Sequence, residues 1–180
     1  CGIGLNGKTL GVIGLGKLGE KVANVGRAFG MEIVAWSPNL TQKRCVDLGV
    51  TKVTKEDLFS QSDVITIHMV LSENTRGLVG ADDLAIMNPS SYLINTSRGP
   101  IVNEPALLNA LRNKKIAGAG LDVFDIEPLP KEHLFRELDN VVLTGHTGYV
   151  VAELYEKVYG QAVENIKAWI DKLPIRLLNG

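Results

Sequence analysis

The sequence predicts a doubly wound, parallel α/β sheet, and three observations carry that prediction. Short β-rich apolar runs recur along the chain, helix-like patterns lie between several of them, and the first run ends in three glycines at fixed spacing. Runs that are apolar on both faces read as strands buried in a parallel sheet. Alternation of strands with helices means that helices cover both faces of that sheet. The runs are Thr9–Ile13, Glu32–Trp36, Asp63–Ile67, Ser91–Asn95, Ala117–Leu121 and Asn140–Leu143.

The first run leads into "GLGKLG", Gly14 to Gly19, and then into a helical pattern over Leu18–Phe29 with apolar residues at Leu18, Val22, Val25 and Phe29. A Gly-x-Gly-x-x-Gly turn between strand and helix is the context in which it reads as a dinucleotide grip. Gly14 makes the tight turn, Gly16 lets the backbone approach a diphosphate, and Gly19 lets helix and strand pack closely. The helix N-terminus offers N–H groups and a positive dipole end to the phosphates. The other reading is a glycine-rich turn without a ligand.

The second run ends at Ser37, where an acidic residue is expected to bond the adenosine ribose. A serine bonds a hydroxyl and does not repel a 2′-phosphate. Lys43 and Arg44 follow closely, either to neutralise such a phosphate or as a solvated helix face. The cofactor is therefore NAD or NADP, with the choice open.

Three further runs each lead into a residue with chemical use: Arg98 in "NTSRGPIVNEPAL", Glu127 in "GLDVFDIEPLP" and His146 in "VVLTGHTGYV". The carboxyl ends of strands in a doubly wound sheet face one crevice, so residues far apart in sequence converge there. Glu104–Arg112 reads as a helix with Pro105 in its first turn. Phe124–Leu138, with two prolines and mixed charge, reads as a long ordered loop. Hydride transfer to a ketone needs a proton donor for the forming alkoxide, and histidine suits that role. A carboxylate beside it favours the imidazolium and fixes the ring. An arginine offers a planar fork to a substrate carboxylate. Singly, each has an ordinary structural reading: a surface arginine, a loop-capping glutamate, a core histidine. Behind a dinucleotide loop, the three together favour the chemical one.

In "GKTLGVIGLGKLG", "ENTRGLVG", "LINTSRGPIVNEPALLNAL", "GLDVFDIEPLP" and "VVLTGHTGY", in this order and over nearly the whole chain, the sequence resembles the D-2-hydroxyacid dehydrogenase family. The resemblance implies a Rossmann-like cofactor domain and an exchange of hydride between NAD(P)H and a 2-keto or D-2-hydroxy acid. It implies that Arg98 binds and polarises substrate, Glu127 pairs with the histidine, and His146 is the acid/base. It also implies that Lys17 and Leu18 sit at the diphosphate, that His68, Met69, Val70 and Thr96 line the cofactor, and that Asp122 lies near the nicotinamide. The chain departs from the family pattern at Ser37, and at Gly145 and Val70, where the family usually has proline.

The resemblance further divides the chain at residue 149. Residues 1–149 are a dinucleotide-binding domain. Residues 150–180, with an amphipathic pattern over Val150–Leu173, are a helix and tail that normally pack on a substrate domain whose N-terminal part this chain lacks. On that reading the chain alone binds cofactor and turns over poorly. A homodimer is implied in the same way. The family also contains corepressors that use the cofactor to control assembly, a second functional reading.

Bulk properties narrow the field. A chain of 180 residues, 45% hydrophobic and 22% charged, fits one ordinary globular domain. A net charge of -1 gives no electrostatic pull toward nucleic acid or anionic membrane, and no apolar run reaches bilayer length. Nothing in the pattern suggests a metal site. Two cysteines, Cys1 and Cys45, with one at the chain end, point away from a structural disulfide and toward a reducing cytoplasm.

Overall fold

The computed structural model describes residues 2–178, so Cys1 lies outside the described residues. In chain order the elements are β1 (Thr9–Ile13), α1 (Lys17–Ala28), β2 (Glu32–Trp36), α2 (Gln42–Asp47), β3 (Thr51–Lys52), α3 (Lys55–Gln61) and β4 (Val64–Ile67). Then come α4 (Ala81–Ala85), β5 (Tyr92–Asn95), α5 (Glu104–Arg112), β6 (Gly118–Leu121), β7 (Val141–Leu143) and α6 (Ala152–Ile170), with short 3-10 turns at Gly99–Ile101 and Leu134–Glu137.

The strands form one parallel sheet in the order β3-β2-β1-β4-β5-β6-β7. The chain works outward from β1 to β3, then crosses back to β4 and works outward the other way. This reversal leaves a crevice above the carboxyl ends of β1 and β4. Alternation along the strands feeds two cores. Val12 and Ile33 join the cluster that includes Ala23 of α1, while Ile13 and Val34 join the cluster that includes Leu58 and Phe59 of α3.

The six expected strands form at the expected places, to within a residue at their starts. Burial on both faces fails at β7, the sheet edge, where Val142 is 69% exposed. Three elements, β3, α3 and α4, have no counterpart in the sequence reading, and α2 enters it only as a possible helix face at Lys43 and Arg44. β3 is two residues long, and α2, α3 and α4 are five to seven, too short for a period to show. α2 and α3 are set by their N-caps: the Thr41 and Thr54 hydroxyls accept from the N–H groups of Arg44 and Asp57.

The chain clusters into two compact units, one ending at His146 and one starting at Thr147. The second unit contains α6, none of whose residues is buried. No helix among the described residues is long and apolar enough to cross a membrane.

Candidate active site

The glycine turn is built by close contact. Gly14 has φ +95°, and a Cβ there would stand 2.7 Å from the His68 carbonyl oxygen. A Cβ on Gly19 would stand 2.1 Å from the Gly14 carbonyl oxygen, so α1 presses directly on the turn. Gly16 differs: nothing lies within 4 Å of its Cβ position. It opens onto a cleft of about 550 Å³ and is the N-cap of α1, with no side chain bonding the first-turn N–H groups. Those donors are the orphan groups that an anion satisfies.

Gly14, Ser37, His68, Met69 and Val70 line the same cleft. Lys17 and Leu18 are exposed on the first turn of α1. The two cations near Ser37 separate. Arg44 lines the cleft, with its Nη2 2.7 Å from Glu20 Oε2, whereas Lys43 is paired with Asp47 at 2.9 Å on the outer face of α2. His68 Nε2 lies 3.0 Å from the Thr66 hydroxyl, and burial pushes its pKa down, so the imidazole is neutral.

The second constellation stands on the loops after β5, β6 and β7. Asn95, buried at the end of β5, shapes the first of them: its Oδ1 accepts from Ser97 N–H and its Nδ2 donates to the Arg98 carbonyl. Ser97 Oγ donates to the Met69 carbonyl at 2.5 Å, tying this turn to the cleft at the glycine turn. Thr96 and Arg98 are exposed on it. Gly99 brings the next loop into contact, since a Cβ on it would stand 2.1 Å from the Phe124 carbonyl carbon.

Glu127 then spans two loops. One carboxylate oxygen accepts from Phe124 N–H at 2.9 Å, and the other lies 2.7 Å from His146 Nδ1. Partial burial pushes the Glu127 pKa up. The His146 hydrogen bond, the Phe124 N–H and the charges of His146 and Arg98 outweigh it, so the net shift is downward and the carboxylate is ionised. Both partners are about one-third exposed, at 33% for Glu127 and 32% for His146. His146 has φ 58°, an uncommon backbone state for a non-glycine residue and one that gathers at functional sites. A cavity of about 450 Å³ opens beside the pair, lined also by Leu129, Leu143 and Gly145. Asp122, at the end of β6, is buried and accepts the Thr144 hydroxyl at 2.5 Å.

Sequence reasoning missed Asn95, Gly99 and Thr41, which orient their neighbours through backbone contacts. It also missed Ser72 and Thr75 in the cofactor cleft, whose Ser-x-x-Thr spacing is an ordinary turn signal.

Comparison with known proteins gives the family. The sequence model described as D-isomer specific 2-hydroxyacid dehydrogenase, NAD binding domain, matches residues 1–148. A glyoxylate reductase of Aeropyrum pernix is 40% identical over 179 residues, covering 99% of this chain and 53% of that protein. A D-3-phosphoglycerate dehydrogenase of Synechocystis is 43% identical over 169 residues, covering 94% of this chain and 30% of that protein. A crystal structure of a phosphoglycerate oxidoreductase from Vibrio cholerae superposes with a TM-score of 0.90 at 35% identity, covering 95% of this chain and 55% of that one. The chain thus spans about half the length of the glyoxylate reductase and a smaller share of the phosphoglycerate dehydrogenase. With the glycine turn, the sheet order and the match over residues 1–148 agreeing, the chain belongs to the D-isomer specific 2-hydroxyacid dehydrogenase family and is its NAD-binding domain.

Proposed function

We propose that the protein is an oxidoreductase that exchanges a hydride between NAD(P)H and a 2-keto or D-2-hydroxy acid, with Arg98, Glu127 and His146 acting on the substrate. The observation that carries this reading is the 2.7 Å Glu127–His146 pair, within the electrostatic reach of Arg98, on a sheet whose glycine turn opens onto a cleft. The glycine turn fits that cofactor: Gly16 leaves space where a side chain would stand, and the α1 N–H groups face it.

The bound nicotinamide supplies or accepts the hydride. Arg98 holds the substrate carboxylate and draws electron density from the neighbouring carbonyl. Glu127 takes the Nδ1 side of His146, which assigns the proton given to the forming alkoxide, or taken from the hydroxyl in reverse, to Nε2. The lowered Glu127 pKa supports this division of labour, because an ionised partner favours the imidazolium that gives the proton. His68, neutral and inside the cleft, belongs to the cofactor wall with Met69, Val70 and Thr96. Lys17 and Leu18 sit at the diphosphate, and Asp122 lies near the nicotinamide.

Ser37 and Arg44 support a cleft that takes NADP at least as well as NAD. No carboxylate stands at the end of β2, and Arg44, which lines the cleft while paired with Glu20 and bonded to the Leu15 carbonyl, is the cation to meet a 2′-phosphate. Lys43 faces away and has no part in it. Residues 150–180 are read as a helix and tail that pack on a substrate domain; the lack of any buried residue in α6 and the greater length of the relatives support this. The buried free thiol of Cys45 supports a reducing, cytoplasmic location, and the family assignment supports a homodimer.

The test is kinetic. In the full-length protein, His146→Ala is expected to cut reduction of glyoxylate or hydroxypyruvate by about 10²–10⁴-fold while leaving the cofactor Kd unchanged. Turnover that survives the substitution removes His146 from the role. Parallel NADH and NADPH titrations of the 180-residue chain, read by energy transfer from Trp36, check the cofactor reading. Arg44→Ala is expected to weaken NADPH and spare NADH. Equal losses for both would assign Arg44 to the fold alone.

A further inference from the structure

The loop that carries Glu127 is held at one end by its contact with Gly99 and at the other by a pair of side chains that the chemistry above does not use. Glu104, on the first turn of α5, places Oε1 3.0 Å from His133 Nε2. Both side chains are mostly buried, at 20% and 17% exposed. The ring's hydrogen is placed by its second bond. Phe135 N–H donates to His133 Nδ1 at 3.3 Å, so Nδ1 carries the lone pair and Nε2–H donates to the Glu104 carboxylate.

His133 is also tied through the backbone to the loop that follows Glu127. His133 N–H donates to the Pro130 carbonyl, and Arg136 N–H donates to the His133 carbonyl. The Arg136 guanidinium returns to the same loop, with Nε on the Pro130 carbonyl and Nη2 on the Leu129 carbonyl, both at 2.9 Å. Leu129 and Phe135 anchor the loop in the core. The segment from Leu129 to Arg136 is therefore a closed unit that begins two residues after Glu127, and its mostly buried side-chain tie to α5 runs through His133 to Glu104; Glu137, next along, meets Arg112 of α5 only at 3.8 Å and more exposed.

We propose that the Glu104–His133 pair is a positioning device: it fixes the loop so that the Glu127 carboxylate meets His146 Nδ1. Its geometry makes sense as a clasp between α5 and the loop. The proposal rests on the functional reading for its effect on rate, but not for its effect on the His146 ring.

The experiment is ¹⁵N-histidine NMR of the 180-residue chain, with His68 as a reporter of the native fold. The unchanged chain is expected to show His146 held as the Nδ1–H form by Glu127. Glu104→Ala, and His133→Asn, which keeps an acceptor for Phe135 N–H but is too short to reach Glu104, are expected to release His146 to a mixture of tautomers with His68 unmoved. Glu104→Gln, which still accepts from Nε2–H, is expected to restore the held form. In the full-length protein the same Glu104→Ala is expected to lower kcat by about tenfold or more with cofactor Kd unchanged. It is expected to have no further effect once Glu127→Ala is present. A His146 signal unmoved by both Glu104→Ala and His133→Asn overturns the clasp and leaves the functional reading intact. A wild-type chain with no held tautomer overturns both. A kcat loss that adds in full to that of Glu127→Ala shows a general structural role and also overturns the clasp.

Discussion

The cleft at the glycine turn and the loops that carry Glu127 and His146 both stand at the carboxyl ends of strands in one sheet, yet they are held by different means. The cleft is fixed by backbone against backbone: a Cβ on Gly19 or Gly14 would stand 2.1 or 2.7 Å from a carbonyl oxygen. The loops of Glu127 and His146 share one such backbone contact, at Gly99 against Phe124, and add to it side-chain bonds from a part-exposed Glu127 to His146 and to Phe124 N–H. A backbone contact has almost no freedom to shift. A side-chain bond depends on every residue that aims its two ends. The first region should therefore fail through steric clash and loss of stability, and the second through loss of rate with the fold intact.

Substitution at two neighbouring glycines gives the largest effect and separates packing from binding inside the cleft. Gly19→Ala forces α1 off the turn and is expected to cost about 1–3 kcal/mol in denaturant unfolding, as overpacked cores do. Gly16→Ala meets no protein atom within 4 Å, so stability should change by less than about 0.5 kcal/mol. If the cleft holds the diphosphate as proposed, the added methyl stands in its way and cofactor affinity is expected to fall by about tenfold or more. If Gly16→Ala left the cofactor Kd unchanged, the cleft would not be the diphosphate site.

Acid titration of stability is expected to separate the two regions by pH. His68 in the cleft has its folded pKa lowered by burial, so folding disfavours its protonation. Its contribution is complete above the unfolded value of about 6.5 and erodes as pH falls below it. Glu127 is a carboxylate with a lowered folded pKa, so its contribution is present above the unfolded value of about 4.3 and is lost as pH falls through the lower folded value. His68→Gln should flatten the upper part of the acid branch, beginning just below about pH 6.5. Glu127→Gln should flatten only the part below about pH 4.5, and weakly, because the group is one-third exposed. Denaturant midpoints across that range check the order of loss. A single common step for both variants would mean that the two regions titrate as one.

What the sequence disclosed follows the same division. The turn Gly14 to Gly19 announces itself, because a strand, a fixed glycine spacing and a helix must coincide for the backbone contacts to form. Arg98, Glu127 and His146 are visible as chemistry-bearing residues after predicted strands, and family resemblance orders them. Their partners are not visible. Gly99, Glu104 and His133 act through contacts between segments up to 29 residues apart, and nothing in their own neighbourhood marks them; Asn95 acts within its own turn, on Ser97 and Arg98. Lys43 and Arg44 are adjacent in sequence and look equivalent there. The helix α2 sends one into the cleft and the other to solvent, a difference set by the Thr41 cap that starts the helix.

The smallest expected effect lies at Gly145, where the family usually has proline. Its Cβ position meets nothing within 4 Å, and its φ lies outside the left-handed range, so a methyl group fits without strain. Alanine there removes freedom from the unfolded chain and is expected to add about 0.4–1 kcal/mol to stability. His146, the next residue, already carries φ 58° and gains nothing from a mobile neighbour. If the side-chain bond to Glu127 alone holds the ring, Gly145→Ala should raise stability and leave kcat within twofold. If kcat rises with stability, the glycine has been loosening the approach of His146, and the acid/base loops are governed partly by backbone after all. Denaturant unfolding and steady-state rates on the full-length variant decide between these, and the second outcome would narrow the contrast with the cofactor cleft.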